Sequence, residues 1–259
     1  MQELTIGHAL ILGLLQGFTE WLPISSSGHL VIVQSLMGVT VPAQFDIVIM
    51  LGTIAALILY FRTRILSLIR GLSTGDPAAI RYILFIVIAG IATAVIGFSG
   101  KHFFIGLYDQ PLIVCLLLIL TGIFLYAASR PAIHESDLSN KSALLIGIAQ
   151  GIAVAPGISR SGSTIGTALL LGIRPREAAE FSFIVGIPTM LVASLITFLE
   201  EPGGGVPVIS MIVAIAGAFV AGYASIGFFM KLFEKNHLDY FAYYCIVAGC
   251  VFAILITFQ

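Results

Sequence analysis

Two polar stretches interrupt an otherwise aliphatic chain, and their residue types can do chemistry. The first is Gln16-Gly17-Phe18-Thr19-Glu20-Trp21-Leu22-Pro23-Ile24-Ser25-Ser26-Ser27-Gly28-His29, between nearly pure aliphatic runs at 9–15 and 30–33. Ionisable groups are costly in a low-dielectric medium, so at membrane depth they mark function. Ser26 and His29 are three apart and share a face if a helix begins near Ser26. His29 can then take a proton from a hydroxyl or give one to a leaving group. Glu20 can orient His29 or hold a divalent cation, and Gln16 lies one turn before it on the same side. Pro23 suits a turn. Ser25, Ser26 and Ser27 can cap the following helix, whose N-terminal N–H groups attract anions. Capping alone would explain the serines, and a satisfied core histidine would explain His29. Glu20 is needed for neither role, and it tips the reading toward a site.

The second stretch is Pro156-Gly157-Ile158-Ser159-Arg160-Ser161-Gly162-Ser163-Thr164, four hydroxyls around one arginine. A guanidinium is always charged and matches phosphate in a two-pronged fashion. Gly157 and Gly162 let backbone N–H groups approach an anion closely. The plain alternative is an arginine that snorkels to the bilayer surface, and the small apolar flanks on both sides oppose it. Base, nucleophile and cationic clamp are the components of phosphoryl transfer. A pocket for it inside a membrane implies a phosphate head on a lipid tail. Elsewhere the signals are weaker. Glu177 suits a helix dipole, Glu180 is open between that role and a functional one, and Asp46 reads as structural. His8, His102, His134 and His237 have no clustered partners. Phe103, Phe104, Tyr108, Tyr240, Tyr243 and Tyr244 read as an interfacial aromatic belt.

The elements that must position these residues follow from composition. Of the 259 residues, 59% are hydrophobic and 10% charged, against about 25% charged in soluble domains. That predicts a polytopic membrane protein. A net charge of −1 gives no indication of a nucleic-acid partner. Cys115, Cys245 and Cys250 read as buried free thiols, and no separate signal peptide is expected. Four short apolar segments (4–20, 28–37, 142–154, 164–171) pair around the two polar turns as half-depth helices. Six long ones (45–61, 80–98, 112–128, 178–199, 206–230, 240–258) can cross the hydrocarbon. The expected fold is all-α, with six spanning helices and two re-entrant helical hairpins in one integral membrane domain, residues 1–259. Three crossings per half make it an inverted-topology repeat, with halves near 1–130 and 131–259.

Sequence supports the duplication. Gln16-Gly17 and Pro23-Ile24-Ser25-Ser26-Ser27-Gly28 parallel Gln150-Gly151 and Pro156-Gly157-Ile158-Ser159-Arg160-Ser161-Gly162, and Phe45 with Gly52-Thr53 parallels Phe181 with Pro188-Thr189. Charge tests the layout. One face receives Arg62, Arg64, Arg70, Arg81, Arg130, Lys141, Arg174, Arg176, Lys231 and Lys235, and the other only Lys101. The first is then cytoplasmic, both termini lie outside, and the hairpin tips meet at mid-membrane.

The two stretches resemble the signature motifs of the undecaprenyl-diphosphate phosphatase family, the bacitracin-resistance proteins, and the likeness extends over motif order, spacing and length. The resemblance implies hydrolysis of a polyprenyl diphosphate lipid to the monophosphate and phosphate, which recycles the carrier for cell-wall synthesis at the cell membrane. It also implies dependence on Mg²⁺ or Ca²⁺, and a homodimer. By the same resemblance Ser26 is the nucleophile, His29 the acid/base and Arg160 the phosphate clamp, with Ser159 and Thr164 as phosphate-side hydroxyls. Gln16, Ser25, Ser27 and Ser161 join them in substrate binding. The family's Glu-x-x-x-Glu pattern has Gln16 at its first position here, so Glu20 must carry more of any metal role. Direct attack by water, with Ser26 only binding, fits the sequence equally well. Two rivals use the same residues: a lipid-phosphate transporter, since inverted repeats with broken helices serve alternating access, and an intramembrane serine hydrolase, which the arginine and the many hydroxyls oppose.

Overall fold

The computed structural model describes residues 4–39, 41–130, 134–200, 206–233 and 238–258. Lys235 and His237 lie outside them. The described elements are α1 (Ile6–Glu20), α2 (Ser26–Met37), α3 (Ala43–Tyr60), α4 (Arg62–Thr74), α5 (Pro77–Ser99), α6 (Lys101–Leu107), α7 (Pro111–Ala128), α8 (Asn140–Ile152), α9 (Arg160–Leu170), α10 (Pro175–Glu200), α11 (Val208–Phe233) and α12 (Leu238–Thr257). Five of them (α5, α7, α10, α11 and α12) are long and apolar enough to cross a bilayer, and α3 with α4 forms a sixth candidate bent by 72°.

Local chemistry sets the ends. Thr5 and Ser139 form capping boxes at the starts of α1 and α8, and Asp76 followed by Pro77 opens α5. Ser25 and Ser159 cap α2 and α9 by accepting from Gly28 N and Gly162 N. The second arm of each hairpin therefore begins at Ser26 and Arg160, earlier than its apolar run, and the polar motif residues form the first helical turns. Two helices lie outside the sequence expectation. The segment of α4 carries Arg62, Arg64 and Arg70 and reads as a loop by charge. Its exposed Leu66, Ile69 and Leu72 make it an amphipathic helix. The other is the short α6.

Packing brings the two halves together. α1 lies on α11 and α8 on α5; α7 pairs with α12, and α3 with α10 and α11. Gly13 and Gly17 of α1 are pressed so closely to Ala214 and Ala218 of α11 that a Cβ on either would overlap backbone atoms. Gly147 of α8 meets the Ala89 backbone of α5 in the same way, and a Cβ on Gly151 would overlap the Ile96 side chain. Small residues four apart allow this close approach in a bilayer, where burial gives no drive for helices to associate. Under the sequence alignment of the halves, α1 corresponds to α8 and α11 to α5. Each hairpin's first arm therefore packs on a crossing of the other half. Ile80, Leu84, Val87, Ile91 and Val95 of α5 form an exposed apolar face, which lipid would cover.

Candidate active site

Both polar turns sit on braces from the long helices. Thr121 of α7 donates to Gly157 O (2.9 Å) and accepts from Ser159 N (3.2 Å). Cys245 of α12 lies 3.7 Å from Pro23 O. Ser25 is the only non-glycine with positive φ among the described residues, at φ 66° and ψ 90°. A conformation that costs of order 1–3 kcal/mol persists only where its surroundings hold it. The second turn has glycine at its left-handed position, Gly157 at φ 93°.

The tips touch. Ser161 Oγ donates to Leu22 O at 2.9 Å, and a Cβ on Gly28 would stand 3.0 Å from Gly157 Cα. Glu20 ends α1 at the centre of the cluster. Its Oε1 accepts from Arg160 Nη2 at 2.6 Å. Its Oε2 accepts from Gln16 Nε2 at 2.9 Å and from Ser26 Oγ at 2.5 Å. The Glu20 and Arg160 side chains are 6% and 14% exposed, so the ion pair is largely desolvated, and breaking it by removing one partner costs about 3–5 kcal/mol. Arg160 is also held by Met190 Sδ at 3.0 Å and by the face of Trp21, 5.0 Å from its Cζ. Its Nη1 presses on Gly186, where a Cβ would come within 2.7 Å, and is buried with no hydrogen-bond partner. A buried guanidinium nitrogen without an acceptor is a donor waiting for an anion.

His29 is buried in α2. Its Nδ1 is 2.7 Å from Ser25 O, and its Nε2 is 2.8 Å from the Tyr244 hydroxyl. A carbonyl only accepts, so Nδ1 carries the proton and Nε2 accepts from Tyr244. The two rings stack with centroids 5.7 Å apart. The hydrogen bonds of His29 thus go to neither Glu20 nor Ser26. Glu20 holds the Ser26 hydroxyl, while His29 clamps the strained carbonyl one residue before it. Tyr244, read as a belt residue, is half-exposed on α12 and is a site residue that sequence reasoning missed. It lies 215 positions from His29, and no local signal separates it from Tyr243.

The remaining candidates divide. Gln16 is on Glu20. Ser25 caps α2 and approaches Ser27 (3.5 Å), and Ser26 and Ser27 are only half-buried. Ser159 and Ser161 are 3.3 Å apart and buried. Thr164 points elsewhere, with its hydroxyl against Ser182 of α10 at 2.5 Å and bonded to Arg160 O and Ser161 O. That anchors α9 rather than facing the carboxylate. Glu180 lies outside the cluster, paired with Arg64 at 2.6 Å, and Asp46 accepts from Gln34 at 3.0 Å. Residues fit to hold Mg²⁺ or Ca²⁺ are few. Both oxygens of Glu20 are engaged, and no three His, Cys, Asp or Glu side chains cluster among the described residues. Hard cations want six or more oxygens, which the cluster does not supply by itself.

A hydroxyl held on a carboxylate, opposite a caged guanidinium, is equipped for attack on phosphorus. Comparison with known proteins finds relatives over nearly the whole chain. A family described as "Bacitracin resistance protein BacA" matches residues 9–251. A protein of Syntrophotalea carbinolica named undecaprenyl-diphosphatase is 39% identical over 257 residues, covering 95% of this chain and 98% of its own. Proteins with the same name from Methanosphaera stadtmanae and Carboxydothermus hydrogenoformans are 36% and 37% identical, covering 97% and 96% of this chain and 98% and 96% of their own.

Proposed function

Because the chain belongs to the bacitracin resistance (BacA) family, we propose that it is an undecaprenyl-diphosphatase, with the Glu20–Ser26–Arg160 cluster as its catalytic centre. The observation that carries the site assignment is the carboxylate of Glu20 bridging Ser26 from one hairpin arm to Arg160 from the other hairpin. Glu20 Oε2 takes the Ser26 proton as Oγ attacks the terminal phosphorus of the lipid diphosphate. The bond from that phosphorus to the bridging oxygen breaks, and the lipid monophosphate leaves with its electron pair. Arg160, through Nη1, balances the charge that gathers on the equatorial oxygens. Water then attacks that phosphorus, Glu20 returns the proton to Ser26 Oγ as the Oγ–P bond breaks, and the phosphate departs carrying the oxygen and protons of the water. His29 holds the Ser25 turn that presents Ser26. Its Nε2 acts as acid or base through the Tyr244 hydroxyl bonded to it, which relays the proton. Ser25, Ser27, Ser159 and Ser161 line the approach.

No step is assigned to a divalent ion. An Mg²⁺ or Ca²⁺ serving this centre would draw most of its ligands from the diphosphate. The reading extends to a multi-pass protein of the cell membrane with both termini outside and the arginine-rich face in the cytoplasm, and to a homodimer. The test of function is phosphate release from prenyl diphosphates by purified protein in detergent, with no membrane gradient. Turnover is expected, and Ser26→Ala should lower it about 10³-fold or more. Uptake into vesicles without release of phosphate would support the transporter instead. Rapid quench with labelled substrate should yield phosphorylated Ser26. Full turnover with no labelled protein would replace serine attack with direct attack by water.

A further inference from the structure

Away from the hairpins, an open pocket of about 380 Å³ lies where α4, α5 and the start of α10 meet. It is lined by Arg64, Tyr82, Arg174, Arg176, Glu177 and Glu180. The glutamates fix two of the arginines. Arg64 Nε donates to Glu180 (2.6 Å) while its guanidinium lies over the Tyr82 ring at 4.7 Å. Arg174 Nη2 is 3.3 Å from Glu177 and also 3.3 Å from Asp137, an 88%-exposed acid outside the pocket's lining. Arg176 has no ion pair among the described residues and is exposed. The Tyr82 hydroxyl is buried and unpartnered. Three guanidiniums thus face two carboxylates at the N-terminus of a 26-residue helix, where the backbone adds positive potential.

We propose that this pocket, distinct from the catalytic cluster and independent of the reading given to it, binds a phosphate group. Guanidiniums held by the glutamates and over the Tyr82 ring are pre-organised for phosphate oxygens. The setting favours an anionic phospholipid headgroup as the source. Arg64 belongs to α4, which turns 72° from α3 and exposes Leu66, Ile69 and Leu72 beside Arg62 and Arg70. Such a helix lies in the headgroup layer with its apolar side in the acyl boundary, and juxtamembrane basic residues attract anionic lipid.

The experiment uses the full chain in nanodiscs of phosphatidylcholine and reads the thermal unfolding midpoint. One arm adds graded phosphatidylglycerol, and the other adds inorganic phosphate. A saturable rise is expected, shifted about tenfold or more to higher ligand in Arg174→Gln/Arg176→Gln but not in Arg62→Gln/Arg70→Gln, which removes equal charge outside the pocket. Arg176→Gln alone, which breaks no ion pair, guards against misfolding and should shift the curve in the same direction. Phosphate also enters the catalytic cluster, so the diagnostic is the component lost in the pocket variants. A rise confined to the phosphate arm would assign the pocket to free phosphate. Equal curves for both double variants, or no saturable rise in either arm, would overturn the proposal.

Discussion

Glu20 is where three side chains converge, and its surroundings explain why a charge is tolerated at that depth. Each oxygen has a donor, and the cation opposite it is packed between Trp21, Met190 and Gly186. Tyr244 carries the residue-scale prediction. Tyr244→Phe keeps the ring stack but leaves His29 Nε2 without its donor. An unmade buried hydrogen bond costs about 1–3 kcal/mol, so kcat should fall about tenfold with KM little changed. Tyr243→Phe, whose ring faces Tyr126, should be near wild type. Equal effects in steady-state kinetics would return Tyr244 to the aromatic belt. Residue identities at the centre were legible because Glu20, Ser26 and Arg160 are out of place in an apolar sequence. Their pairing was only partly so. Helical spacing puts His29 near Ser26 in sequence, but its imidazole bonds the Ser25 carbonyl four residues back and the Tyr244 hydroxyl of α12, and no local signal anticipates the partner on α12.

At the scale of elements, glycine decides how near the hairpins come. Gly147 packs so closely on Ala89 that any side chain would force α8 away from α5. Overpacking typically costs about 1–3 kcal/mol. Gly147→Leu should lower the unfolding midpoint in detergent by several degrees, and Gly13→Leu, where α1 meets α11, should do likewise. Gly106→Ala, in α6 where a Cβ meets nothing within 4 Å, should leave it unchanged. An unaltered midpoint in Gly147→Leu would contradict the close pairing. The crossings were legible from length and hydropathy, and the hairpin arms from their shortness. The α4 helix was obscured by its arginines, although Ile65, Leu66, Leu68, Ile69 and Leu72 already carry helical spacing. Where α2 and α9 begin is set by serine caps rather than by the apolar runs, so the runs alone start them too late.

At the scale of the molecule, the exchanged pairing of α1 on α11 and α8 on α5 encloses polar turns that neither hairpin could shield alone. With a single carboxylate already engaged, the cluster should bind Ca²⁺ weakly by itself. Calorimetry should show no saturable Ca²⁺ isotherm for substrate-free protein below millimolar concentration. A non-hydrolysable prenyl diphosphate analogue should restore one. Tight binding without the analogue, lost in Glu20→Gln, would point to a protein-held ion.

The central claim is that one charge pair, drawn from both hairpins, forms a single reacting unit. A double-mutant cycle on phosphate release tests it most directly, using Glu20→Gln, Arg160→Gln and the pair combined. Each single change should cost about 10²–10³-fold in kcat/KM. The double variant should be no worse than about the poorer single, a coupling of about 3–4 kcal/mol. Losses that simply multiply would mean that Glu20 and Arg160 act apart, and would contradict the shared centre.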